Sequence, residues 1–221
     1  MTVAALDRAL AALDLPAGLG RAVSGPVDDL GALFPEERAA VARAVPSRQA
    51  EFAGGRQAAR RAMAALGLPP CAVPVGADRS PRWPEGVVGS ITHDGGLCIA
   101  IVGRSEAWQA IGIDFERDAE LSPEIAAEIA TATELSTLAP LSRGRAAARV
   151  FSAKEAAYKA QYPLTGCLFG FDAMAAHLPD GGMRMCADTG LGRGAALPMQ
   201  QHLVAGRVLS LCLMPRPAVL G

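Results

Sequence analysis

Aromatic residues make up only 5% of this 221-residue chain, so its core must be built mainly from Ala, Leu, Val and Ile rather than from large rings. Charge of one sign is also lacking. The net charge is −1, whereas a nucleic-acid binder ordinarily carries a basic surplus. No C-x-x-C pair occurs among Cys71, Cys98, Cys167, Cys186 and Cys212. Their odd number and wide spacing argue against a disulfide framework or a structural zinc site and fit a reducing cytoplasm. No apolar run approaches the roughly 18 residues of a membrane span. Near the start, Leu6, Leu10 and Leu13 fall at helical spacing, but Asp7, Arg8 and Asp14 interrupt any signal-peptide core. These absences describe a soluble cytoplasmic protein. A hydrophobic content of 51% argues against disorder, and the length suits one large domain or two small ones.

Lysine is the scarcest cation. The chain has 19 arginines but only Lys154 and Lys159. Heavy Ala, Gly and Arg usage is that of a GC-rich bacterial genome, in which a generic surface cation is written as arginine. Two lysines that survive this bias five residues apart mark a place where a compact, rotatable ammonium is useful.

The order of elements predicts an α+β fold. Residues 1–23 read as an amphipathic helix followed by a loop containing Pro16, Gly18 and Gly20. Phe34-Pro35-Glu36-Glu37 opens a second helix, with proline and acids in its first turn. A third runs from about Ser47 to Leu66, weakened by Gly54 and Gly55 and ended by Gly67 and Pro69-Pro70. After a Pro- and Gly-rich loop come three strands, Val87–His93, Leu97–Val102 and Ala110–Glu116, the first two joined by an Asp94-Gly95-Gly96 turn. Residues 122–139 and 143–162 read as helices, and the remainder as short strands and turns, with Leu203-Val204 and Val208–Met214 near the end.

On the third strand Ile111, Ile113 and Phe115 alternate with Gly112, Asp114 and Glu116, which sends both acids to one face. Carboxylates two residues apart can converge on one hard cation such as magnesium. The same pattern also fits an edge strand with a solvated polar face. In the helix beginning at Arg143, Glu155 and Lys159 form an i, i+4 pair. Arg143, Arg145, Arg149, Lys154 and Lys159 surround that single acid, a surplus that suits phosphate. Between Arg38 and Arg61 there are six arginines and one acid, Glu51. Arg56 and Arg60 flank the apolar stripe there, serving either a phosphate cleft or a solubilising face. His93 ends its strand beside Thr92 and a turn, where ligand contacts tend to be presented.

Taken together, these segments resemble the phosphopantetheinyl transferase family, in particular the branch of the enterobactin-synthetase component D type. The resemblance is carried by Arg48 to Arg60, by Arg79-Ser-Pro81 through Gly89-Ser90-Ile-Thr92-His93, and by Gly112-Ile-Asp114-Phe-Glu116. Phe151-Ser152-Ala-Lys154-Glu155-Ala-Ala-Tyr-Lys159, Tyr162-Pro163-Leu-Thr165-Gly166 and Gly170-Phe171 continue it downstream.

The resemblance implies a pseudo-twofold α+β fold of two similar α/β halves with the active site between them. Residues 1–108 would form the half that takes the 3′-phosphate and adenine of coenzyme A. Residues 109–221 would form the half that takes magnesium and the pyrophosphate, the two making one pseudo-dimeric catalytic unit and a monomer. It implies attack of a carrier-protein serine on the β-phosphate of coenzyme A, with adenosine 3′,5′-bisphosphate leaving. Asp114, Glu116 and Glu155 would hold magnesium, and Lys154 and Lys159 would contact the pyrophosphate. Arg48, Arg56, Thr92 and His93 would bind the 3′-phosphate, with Arg60 and Arg79 as neighbours. Glu155 is also the general base that the resemblance implies, acting directly or through water. Val75 stands where a basic residue near the adenine would fit, which leaves Arg79 as a substitute. The helix face of Arg143, Arg145 and Arg149 is a candidate dock for an acidic acyl or peptidyl carrier protein. The pathway implied is siderophore, nonribosomal peptide or polyketide synthesis.

Two other readings remain. A coenzyme A-binding regulator without transfer activity has no need of all three acids. A metal-dependent phosphodiesterase or nuclease needs a route for nucleic acid, which the neutral charge and few aromatics do not offer.

Overall fold

The computed structural model describes residues 1–217, and the chain divides into two compact units. The first is Met1–Ile111 with the segment from Pro215, and the second is Gly112–Met214.

In the first unit, helix α1 (Val3–Ala11) leads into strand β1 (Leu19–Ser24), then α2 (Pro35–Val41) and the long α3 (Pro46–Ala65). Strands β2 (Val87–Asp94) and β3 (Leu97–Arg104) follow, and the three strands form an antiparallel sheet in the order β1-β3-β2. Ala58, Ala59, Ala62 and Met63 of α3 pack on Ala22, Ala100 and Val102 of that sheet. Small side chains let helix and sheet approach closely, as the shortage of aromatics requires.

Strand β1 (Leu19–Ser24) departs from the sequence expectation of a loop through residue 23 containing Pro16, Gly18 and Gly20. The glycine is there for contact rather than for a turn. A Cβ at position 20 would lie 2.0 Å from the Ala62 carbonyl oxygen of α3. Gly54 and Gly55 do not interrupt α3, which is continuous through both.

In the second unit, β4 (Trp108–Arg117, entering from the first) begins a five-stranded sheet ordered β4-β8-β7-β6-β5. Its other strands are β5 (Met174–His177), β6 (Gly182–Met185), β7 (Ala196–Val204) and β8 (Arg207–Pro215). The expected single helix over 122–139 is two: α4 (Pro123–Ile129) and α5 (Ala132–Ser136). The break is a capping box. The Thr131 hydroxyl accepts from the Glu134 N–H while the Glu134 carboxylate accepts from the Thr131 N–H.

Helix α6 (Arg143–Thr165) runs three residues beyond its expected end. Pro163 lies within its last turn, and Gly166 closes it in the left-handed conformation. The buried side of α6 is nearly all small: Ala146, Ala147, Val150, Ala153, Ala156, Ala157 and Ala160.

Strand β4 lies tight against α6 at Gly112, where a Cβ would sit 1.9 Å from the Ala156 carbonyl oxygen and 2.5 Å from the Ala160 nitrogen. Both contacts are helix backbone and cannot swing away. Gly112→Ala is therefore expected to cost about 3 kcal/mol, the upper part of the usual overpacking range. Urea unfolding of the purified variant measures it, and a loss below 1 kcal/mol would contradict this packing.

Candidate functional site

The approach at Gly112 places the carboxylates. Strand alternation puts Asp114 and Glu116 on the same side as the missing Cβ of Gly112, the side that faces α6. Gln109 is exposed but every residue from Ala110 to Phe115 is buried, so β4 has no solvated polar face through Asp114. Asp114 is 3% exposed, and Glu116, two residues on, is half-buried.

From α6, Lys159 donates to Asp114 Oδ1 at 2.7 Å. Asp114 Oδ2 is buried with no hydrogen-bond partner among the described residues. One turn earlier, Glu155 is half-buried. Burial raises its pKa above the usual carboxylate range, with the neighbouring Asp114 charge adding to the rise and Lys159 opposing it. Asp114, Glu155 and Lys159 are thus brought together. An orphaned carboxylate oxygen in a low-dielectric setting calls for a cation or a donor, and these hard oxygen donors suit magnesium. Among the described residues, however, no group of three or more His, Cys, Asp or Glu side chains is already gathered as a metal cluster.

Lys154 departs from the expected contact with pyrophosphate. It is 2% exposed. Its Nζ donates to the carbonyls of Ile129 at 2.9 Å and Phe171 at 2.8 Å and lies 2.9 Å from Glu134 Oε1. All three ammonium hydrogens are committed. The break between α4 and α5 explains how: it frees the Ile129 carbonyl and turns Glu134 inward. Burial alone would raise the Glu134 pKa. The N–H groups of Thr131 and Ala176, together with Lys154, hold it below the usual range instead.

In the first unit the arginines of α3 divide. Arg48 donates to His93 Nε2 at 2.9 Å and lies 3.6 Å from Glu51. Arg56 is 6% exposed, stacked 4.2 Å from the Phe52 ring, and its Nε has no partner among the described residues. Burial lowers its pKa to about 10; Glu37 opposes the shift, and Arg60 and Arg48 add to it. A desolvated guanidinium among other cations, with a donor unused, is a seat for an anion. Thr92 is buried on β2 and His93 is exposed beside it.

Arg60 is not available in the same way. Its Nη1 donates to both oxygens of buried Glu37 at 3.0 Å, and its Nη2 donates to the Ala32 carbonyl. Arg79 is exposed, in a turn where its φ is 68°. Val75 forms a bridge with Pro81 and packs beside the cluster of Leu33, Val41, Phe52 and Ala53.

The basic face at the start of α6 is smaller than its sequence promised. Arg145 and Arg149 both pair with Asp118, at 2.5 and 3.0 Å, and Arg143 is exposed. The hydrogen bond from Arg149 holds the Asp118 carboxyl below its usual range against the opposing effect of burial, with Arg145 adding to the lowering.

Sequence reasoning missed Glu37, Asp118 and Glu134, the acids that fix these cations in place. The Thr131-to-Glu134 spacing carried a capping-box signal for the last of them. Glu37 reads from the sequence only as a first-turn helix acid, and Asp118 leaves no local mark.

Residues 36–103 match the family model of the 4′-phosphopantetheinyl transferase N-terminal domain, and residues 110–212 match that of the 4′-phosphopantetheinyl transferase superfamily. The chain is 44% identical over 162 residues to 4′-phosphopantetheinyl transferase Svp of Streptomyces mobaraensis, covering 71% of this chain and 66% of that protein. With 4′-phosphopantetheinyl transferase Npt of Nocardia iowensis it shares 39% identity over 161 residues, 72% of each chain. Enterobactin synthase component D of Escherichia coli O157:H7 is 38% identical over 117 residues, 51% of this chain and 54% of that protein. The chain thus spans about two thirds of the length of the first two relatives and about half of the third.

Proposed function

The chain belongs to the 4′-phosphopantetheinyl transferase superfamily, and on that premise we propose that it transfers the 4′-phosphopantetheine arm of coenzyme A to the serine of an apo carrier protein. The observation that carries this reading is the trio of the second unit. Asp114 has a buried Oδ2 without a partner among the described residues, and Glu155 and Lys159 lie one turn apart on the helix packed against its strand.

In the reaction the serine oxygen bonds to the β-phosphorus of coenzyme A, and the bond from that phosphorus to the bridging pyrophosphate oxygen breaks. Adenosine 3′,5′-bisphosphate leaves with the electron pair. Glu155 takes the serine proton, directly or through water. Lys159 neutralises charge on the pyrophosphate. Asp114, Glu116 and Glu155 would hold magnesium, which when bound polarises the phosphoryl oxygens as a Lewis acid. Lys154 holds α6 in place instead of touching the substrate.

Arg48, Arg56, Thr92 and His93 of the first unit take the 3′-phosphate, with Arg79 as the remaining candidate near the adenine. Arg56 carries most of that recognition because it is already desolvated. Arg56→Met is expected to raise KM for coenzyme A by about 10- to 100-fold, as for a lost hydrogen bond to a charged group, and to leave KM for 3′-dephospho-coenzyme A unchanged. Steady-state kinetics with the two substrates decides it. An equal rise for both would remove Arg56 from the 3′-phosphate site.

The partner is an acyl or peptidyl carrier protein of siderophore, nonribosomal peptide or polyketide synthesis. The enzyme acts as a cytoplasmic monomer. Among the described residues no helix is long and apolar enough to cross a membrane.

The reading is tested by chromatography of the nucleotide product. Adenosine 3′,5′-bisphosphate should appear only when protein, coenzyme A, magnesium and apo carrier are all present. Coenzyme A bound tightly but recovered intact would favour the regulator.

A further inference from the structure

Lys159 occupies Asp114 in a protein that contains no other lysine able to move. Its Nζ sits 2.7 Å from Asp114 Oδ1, while Oδ2 of the same carboxylate is buried without a partner among the described residues. The Lys159 side chain is 31% exposed, in contrast to the fully immobilised Lys154. A flexible stem ending in a rotatable ammonium can exchange one oxygen ligand for another. Glu155 stands one turn before Lys159 on α6, on the helix face that reaches Asp114. An ammonium beside neighbouring carboxylates offsets their mutual repulsion.

We propose that Lys159 is a placeholder cation: it holds Asp114 in the metal-free protein and moves to the substrate pyrophosphate when metal takes its place. This rests on the transferase reading of the site and adds a binding order to it. In the free protein, metal and ammonium compete for the same carboxylate. Coenzyme A removes the competitor by offering the ammonium a better-charged partner. Metal and coenzyme A therefore strengthen each other's binding, by the same factor in either order.

The role of Lys159 is separable from its contact with phosphate. In the ligand-free protein its absence should help metal, and in the ternary complex its absence should harm coenzyme A. A residue that only binds phosphate would do the second and not the first.

The first test is Mn2+ binding, followed by water-proton relaxation in the full-length protein without carrier. Lys159→Met is expected to bind Mn2+ about tenfold more tightly than wild type when coenzyme A is absent, a coupling of ordinary size. The gain in Mn2+ affinity on adding coenzyme A should shrink by a similar factor. Equal Mn2+ affinity of the two free proteins overturns the placeholder while leaving the transferase reading intact. Absence of Mn2+ binding in both proteins, with or without coenzyme A, overturns both.

A second readout does not depend on the variant's fold. Labelling with 15N-lysine yields ammonium signals from only Lys154 and Lys159. In wild type, diamagnetic Mg2+ with coenzyme A should shift one signal and leave the buried Lys154 signal in place. Two unmoved signals in a protein saturated with both ligands contradict the proposal.

Discussion

Lys154→Met is expected to lower folding stability by about 3–5 kcal/mol, the cost of removing one partner from a buried ion pair. The variant should still transfer phosphopantetheine at temperatures where it remains folded. Methionine fills nearly the same volume, so the loss comes from stranding Glu134 and the carbonyls of Ile129 and Phe171. The pH dependence identifies the mechanism. The pair and the N–H donors of Thr131 and Ala176 depress the Glu134 pKa, so its charge contributes stability above the unfolded carboxylate range. That contribution is lost as pH falls through the depressed folded value. The gap between wild type and variant should narrow on acidification, because a protonated Glu134 no longer needs the ammonium. Urea midpoints at several pH values measure this. A stable but inactive Lys154→Met protein would return Lys154 to the pyrophosphate.

Glu155→Gln is expected to do the reverse, reducing transfer by about 10²–10⁴-fold, the usual worth of a positioned acid or base, without loss of stability. Burial, opposed by Lys159 and aided by Asp114, raises the Glu155 pKa, so folding shifts this carboxyl toward its neutral form. A raised carboxyl contributes stability at low pH that disappears as pH rises through its folded pKa. Glutamine is neutral throughout. The variant should therefore gain stability relative to wild type as pH rises across that range. Single-turnover transfer and thermal unfolding over a pH series test the two halves separately. Near-normal transfer by a folded variant would remove Glu155 from the reaction.

Much of the geometry of the second unit's candidate site was legible in the chain because its signals are local. Alternation over Ile111–Glu116 placed both acids on one face, and the i, i+4 spacing placed Glu155 beside Lys159. The resemblance joined strand to helix, and the structure supplies the physical reason for that join at Gly112, whose missing side chain admits the α6 backbone.

What the sequence hid was decided by tertiary partners. Gly20 read as a loop residue because its reason for being there, the Ala62 carbonyl, lies 42 positions away in the chain. Lys154 and Lys159 looked equivalent on one helix. They differ only because the α4–α5 break delivers Glu134 and a free carbonyl to the first of them. Arg56 and Arg60 were likewise paired by spacing and separated by Glu37, which engages Arg60 in two hydrogen bonds and leaves Arg56 with an unpartnered Nε.

The most direct measurement of the transferase account is the intact mass of an apo carrier protein after incubation with this protein and coenzyme A, with magnesium and with a chelator in its place. With magnesium the carrier should gain one phosphopantetheine arm at its serine, and with the chelator it should gain nothing. Unmodified fatty-acid, polyketide and peptide-type carriers in the presence of magnesium would contradict the account.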